Sequence, residues 1–114
     1  MTYTVIATWI AKPGHEDAVA SSLVKLLEPS RSEPGCLEYR ANRSLTEERT
    51  FLLYEEYVNE AAYDAHMQSD HFRRHAQGDA IPLLEARERA FCAPLNEPGP
   101  QPSGEGAGGG ADDA

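Results

Sequence analysis

The segment YTVIATWIA, residues 3–11, is apolar on both of its alternating faces, with Val5, Ala7 and Trp9 on one side and Ile6 and Ile10 on the other. Side chains of a strand point alternately to opposite faces, so this pattern describes a strand that is covered from both sides. Lys12-Pro13-Gly14 then ends it in a turn. A strand of this kind needs a layer above and a layer below. A chain of 114 residues has material for one domain and little more. The second layer is therefore expected from outside the chain, most simply from another copy of it.

The rest of the chain supplies the first layer. Residues 15–28 (HEDAVASSLVKLLE) place Val19, Leu23, Leu26 and Leu27 at helical spacing, with Glu16 and Asp17 at the positive end of the helix dipole. Pro29 is expected to stop that helix. Ser30–Gly35 reads as a loop with a turn at Glu33-Pro34-Gly35, followed by strands at 36–44 and 50–58 joined by a hairpin-like connection. Asn59 is a good N-cap for a short helix over 60–67. Ser69 or Asp70 caps a second one over 70–77, broken by Gly78. Residues 85–93 (EARERAFCA) alternate as a last strand, although Ala, Glu and Arg favour helix. The order β-α-β-β-α-β predicts an α+β, ferredoxin-like split βαβ fold: a four-stranded antiparallel sheet with helices on one face.

Residues 96–114 hold six of the nine glycines and three of the eight prolines, with no aromatic and no branched apolar side chain. They read as a disordered, acidic, Gly/Pro-rich tail, and residues 1–95 as the folding unit. That unit carries all ten Lys and Arg against fifteen of the nineteen acids. An acidic domain without a basic cluster is a poor partner for nucleic acid or an anionic membrane. The opening apolar run is far shorter than the ~20 residues of a spanning helix. Two cysteines, Cys36 and Cys92, and the absence of a cationic leader predict a reduced, cytoplasmic protein. No CxxC, HExxH, GxGxxG or P-loop occurs, so neither a metal nor a cofactor is expected from motifs.

Four phrases, VIATWIAKPGHEDAV, SEPGCLEYR, LLYEEYVNEAAYDAHM and SDHF, together resemble the antibiotic biosynthesis monooxygenase (ABM) family over roughly residues 3–93. The resemblance implies a dimeric α+β barrel, two sheets packed face to face, which agrees with the demand for outside cover. It also implies cofactor-independent oxygenation of a quinol-like or polycyclic phenolic small molecule by molecular oxygen. The family's haem-degrading branch has a first-strand Asn that this chain lacks, and holds Trp where this chain has His66. Its anthrone oxygenases carry Trp and Asn where this chain has Tyr57 and Leu53, while their helical Tyr matches Tyr63. The family's autoinducer-2 phosphate isomerase resembles Tyr54–Pro94, including His66, His71 and Pro82-Leu83, but has a first-helix His where this chain has Leu27. An isomerase or cyclase using the same proton abstraction, or a non-catalytic small-molecule-binding dimer, are the alternatives.

Oxygenation without a cofactor needs a general base, an apolar pocket around the substrate anion and donors for the oxyanion. Histidine suits the base because its ordinary pKa of ~6.5 lies close to working pH. Three of the four histidines, His66, His71 and His75, fall within ten residues. His66 is the expected base, with His71 and Tyr63 as the other catalytic residues and Tyr57, Tyr54 and His75 as substrate contacts. His71 and His75 share a helix face as a metal pair would, but the sequence shows no third ligand. On the third strand, Phe51, Leu53, Glu55 and Tyr57 share one face and Leu52, Tyr54, Glu56 and Val58 the other; alternation alone does not say which lies under the helices. Trp9 is expected in the core or the dimer interface. Removing residues 96–114 is expected to leave the melting temperature nearly unchanged, and a substantial drop in a thermal melt would show that the tail docks.

Overall fold

The strand at the start of the chain forms the middle of the sheet. In the computed structural model, which describes residues 2–97, β1 (Tyr3–Ala11) pairs antiparallel with β3 (Thr50–Tyr57) on one side and β4 (Leu84–Cys92) on the other. β2 (Cys36–Arg43) completes the order β2-β3-β1-β4 at the outer edge of β3. The register places Val5 opposite both Glu55 and Phe91, and Ala7 opposite Leu53 and Arg89. Helices α1 (Glu16–Arg31) and α2 (Glu60–Met67), and a π-helix at Phe72–Ala80, cover one face. This is the expected ferredoxin-like α+β fold, and residues 84–92 are a strand. The expected tail lies, from residue 98 on, outside the described residues. The last described residue, Glu97, accepts the Thr2 backbone N–H at 2.8 Å and its hydroxyl at 3.0 Å, a contact two residues beyond the expected domain boundary.

The faces of the sheet differ. Val5, Ala7, Trp9 and Ala11 are buried under the helices with Phe51, Leu53, Tyr39, Val19, Leu23 and Leu26, so Trp9 is a core residue. On the other parity of β1 and β3 only Thr4 is buried, and Ile6 is 40% exposed and Leu52 41% in the single chain.

Two helix boundaries differ from the sequence expectation. Pro29 lies inside α1, which continues to Arg31. A proline so near the end removes one amide donor, while Ser32 returns its backbone N–H (3.1 Å) and its hydroxyl (3.0 Å) to the Glu28 carbonyl. The extra turn lets the Arg31 Nε donate to the Tyr39 carbonyl at 2.9 Å, tying α1 to β2. Gly78 does not break a helix either. It lies inside the π-helix, where a Cβ would meet the Arg73 carbonyl oxygen at 3.2 Å. The wider π turn therefore runs through Gly78 to Ala80 and ends in a 3-10 turn at Ile81–Leu83.

Gly35 positions the functional region. A Cβ there would lie 2.5 Å from the Ala62 Cβ, so only glycine lets the Glu33-Pro34-Gly35 turn press against α2. The Gly35 carbonyl accepts the Val58 N–H at 2.9 Å, and Asn59 caps α2 by accepting the Ala62 N–H at 2.9 Å. Ala62 and His66 are four residues apart and share a helix face. The close approach at Ala62 thus brings Glu33 up to His66. Gly35→Ala is expected to destabilise the fold by about 1–3 kcal/mol through overpacking, with the loss largely recovered in Gly35→Ala/Ala62→Gly. Urea unfolding of the three proteins checks this; equal losses in the single and double variants would place the strain elsewhere.

Candidate active site

His66 is buried, with 1% of its surface exposed; of the expected site residues, Tyr57 is buried as completely. It ends α2, and aromatic rings surround its imidazole: Tyr39 and Phe72 at 5.2 Å between centroids, Tyr57 at 5.6 Å and Tyr63 at 6.5 Å. It joins two apolar clusters, one containing Tyr39 and Leu53 and the other Val5, Tyr57 and Tyr63. Its Nδ1 lies 2.8 Å from Glu33 Oε2, and the same oxygen lies 2.5 Å from His71 Nε2. A carboxylate only accepts, so the nitrogens facing it carry the protons. With Nδ1–H directed at Glu33, the neutral His66 ring has its free lone pair on Nε2. That atom is buried and has no hydrogen-bond partner among the described residues. A carboxylate thus orients the histidine through one nitrogen and leaves the other without a partner, a geometry that a general base can use.

Beside this pair lie two more polar contacts. Tyr57 donates to Glu55 Oε1 at 2.6 Å, and both are buried on the helix-facing side of β3. Burial pushes the Glu55 carboxyl pKa up, with the Tyr57 hydrogen bond and the His66 imidazole pulling the other way. Burial, reinforced by Glu55, also holds the Tyr57 phenol far above its ordinary range. The Tyr63 hydroxyl accepts from Arg89 Nη1 at 2.6 Å, leaving its own proton to donate. Burial raises the Tyr63 pKa, opposed by Arg89, so this phenol is a donor rather than a base at neutral pH. Arg89 also lies over the Phe91 ring, at 5.2 Å.

The structure brings His66, His71, Tyr63 and Tyr57 to one region and leaves two expected residues apart from it. Tyr54 points to the opposite face of the sheet, as β3 alternation requires, and donates to Glu56 Oε2 at 2.5 Å. It lines a groove of about 410 Å³ with Thr4, Ile6, Glu56 and Cys92. His75 does not pair with His71. Its Nδ1 faces Asp79 Oδ2 at 3.6 Å, one turn further along the π-helix, while His71 turns its Nε2 to Glu33. With His71 it lines an open recess of about 630 Å³ together with Asp70, Arg73 and Arg74. The apolar pocket expected around the base is filled by the rings of Tyr39, Tyr57, Tyr63 and Phe72, which pack directly on the imidazole.

Glu33 and Arg89 are the two members that sequence reasoning passed over. Glu33 was one acid in a Pro-Gly turn, 33 residues from His66 and 38 from His71. Arg89 lay in a segment whose helical and strand patterns competed. In neither case does a local signal exist; the partners meet only through the fold.

A ferredoxin-like α+β domain with an acid-oriented histidine between its helices and sheet is the class of protein these observations define. The sequence profile of the antibiotic biosynthesis monooxygenase family matches residues 2–78, and the chain belongs to that family. It is 39% identical over 61 residues to the Synechocystis protein sll1783, described as uncharacterised; that match spans 54% of this chain and 42% of the relative. Among solved structures it is similar to PA3566 from Pseudomonas aeruginosa (33% identity, TM-score 0.77, covering 82% of this chain and 94% of that one). It is also similar to Rv0793 from Mycobacterium tuberculosis (27% identity, TM-score 0.77, covering 87% and 100%). No helix among the described residues is long and apolar enough to cross a membrane.

The raised Glu55 pKa sets a pH dependence. The native state keeps this proton to higher pH than the unfolded chain, whose glutamates titrate near ~4.3. Glu55 therefore contributes stability that is complete below that value and is lost as pH rises through the native pKa. Glu55→Gln removes the loss while keeping an acceptor for Tyr57. The stability of the variant relative to the parent is expected to climb from pH 4 and then level off. A constant difference in urea unfolding between pH 4 and 8 would contradict the assignment.

Proposed function

We propose that the chain is a cofactor-independent monooxygenase acting on a quinol-like or polycyclic phenolic small molecule, with His66 as its general base. The observation that carries this reading is the buried, unpartnered Nε2 of His66, held in place through Nδ1 by Glu33. Membership of the monooxygenase family supports it. On this reading Nε2 takes a proton from an activated methylene or phenol. Tyr63, polarised by Arg89, donates to the oxygen where the charge collects. The substrate anion gives its electrons to molecular oxygen and a carbon–oxygen bond forms. For a methylene, His66 returns this first proton to the peroxide, takes the remaining C–H proton as the O–O bond breaks and the carbonyl forms, and passes it to the departing hydroxide, which leaves as water. One oxygen atom enters the product, the other enters water, and the methylene supplies all four electrons. Substrate access requires Tyr63 and Phe72 to part from the imidazole.

The packed rings favour a second reading, a non-catalytic small-molecule-binding dimer in which His66 is a structural residue. In both readings the chain acts as a homodimer whose bare sheet faces meet, covering Ile6, Leu52 and Tyr54.

Oxygen uptake with a menadiol- or anthrone-like phenol separates the two. On the oxygenase reading, uptake exceeds the uncatalysed rate, His66→Gln lowers kcat about 10²–10⁴-fold, and Tyr63→Phe lowers it less. Failure to exceed the background rate with several phenols would leave the binding reading. An Ile6→Lys/Leu52→Lys variant is expected to sediment as a monomer while the parent sediments as a dimer.

A further inference from the structure

We propose that Glu33, His66 and His71 form a binding site for a divalent transition-metal ion such as Zn²⁺ or Co²⁺. Three separated segments each deliver one ligand-type group here: the turn after α1, the end of α2 and the residue before the π-helix. Their ligand atoms all lie within 4.8 Å of one another. One carboxylate and two imidazoles make the donor set of sites for Zn²⁺, Co²⁺ or Fe²⁺, and the net charge of −1 from two neutral rings and one acid favours a dication. Bonds of ~2.0–2.2 Å to such an ion place adjacent ligand atoms roughly 3.0–3.4 Å apart. The present spacings of 2.8 and 2.5 Å about Glu33 Oε2 therefore open by less than about 1 Å when the ion replaces the two shared protons.

Burial and access fit the same picture. His66 is packed in place, whereas the side chains of Glu33 and His71 are 14% and 19% exposed, so the ion reaches the cluster from the recess lined by Asp70, His71, Arg73, Arg74 and His75. Arg73 and Arg74 on that rim oppose a cation. The two imidazole donors favour Zn²⁺ or Co²⁺ over Mg²⁺ and Ca²⁺, which rely on oxygen ligands. The metal and the base use the cluster in mutually exclusive ways. Coordination through Nδ1 leaves the His66 proton on Nε2, so the metal-loaded chain has no free lone pair there.

The test uses the full chain and reads binding without reference to turnover. Co²⁺ is expected to produce the visible absorption of an imidazole-ligated ion at one equivalent per chain. Zn²⁺ at a hundredfold excess over its Kd is expected to raise the melting temperature by about 10 °C or more. His71→Ala and Glu33→Gln are each expected to weaken binding at least tenfold, and His75→Ala to leave it unchanged. Absence of both the Co²⁺ spectrum and the thermal shift would overturn the proposal. So would binding that survives His71→Ala and disappears in His75→Ala, which would put the ion on the outer recess. A chain that binds Co²⁺ but takes up no oxygen leaves the metal site standing and rejects the oxygenase reading.

Discussion

One carboxylate oxygen organises the interior. Glu33 Oε2 holds both His66 and His71, and it does so where the helical layer meets the sheet. A buried imidazole with a wandering ring would be a poor base and a poor ligand, because either task needs one nitrogen committed and the other defined. The acid supplies that definition. It is kept within reach by the contact of Gly35 with Ala62, one helical turn before His66. A glycine with a negative φ is thus required for its missing side chain rather than for its backbone conformation.

The sheet divides the chain's chemistry between its faces. Toward the helices, β3 and β4 contribute Glu55, Tyr57 and Arg89, each held by a polar partner or a neighbouring ring. Toward the open side, the same strands offer Leu52, Tyr54, Glu56 and Cys92. The alternation of a strand makes this division obligatory: moving the register by one residue would exchange the two sets completely. It also explains why Tyr54 and Tyr57, three residues apart and chemically alike, have unrelated surroundings.

Much of the fold was legible because its signals are local. The doubly apolar β1, the helical spacing of Val19, Leu23 and Leu26, the cap at Asn59 and the element order suffice for the ferredoxin-like arrangement. The two errors in helix limits share a cause. Pro29 and Gly78 are helix breakers by propensity, and tertiary contacts overrode both: Ser32 and Arg31 complete the turn after the proline, and a wider winding accommodates the glycine. Of the candidate cluster, His66, His71 and Tyr63 were legible because they share one short stretch of sequence, whereas His75 in the same stretch faces Asp79 instead. Glu33 and Arg89 were not, since a turn acid and a strand arginine look the same whether they face water or a buried ring. The packing of aromatic side chains on His66 was equally hidden, because Tyr39 and Phe72 come from elements that sequence reading assigned only to architecture.

The chain is two successive strand-helix-strand passes, and the acid belongs to the connection of the first while both imidazoles belong to that of the second. Neither pass owns the arrangement. A fragment ending before β3 carries a carboxylate with nothing to orient, and one beginning there carries two rings with nothing to orient them. The cluster thereby exists only once the tertiary structure is complete, and a nascent or partly unfolded chain does not contain it.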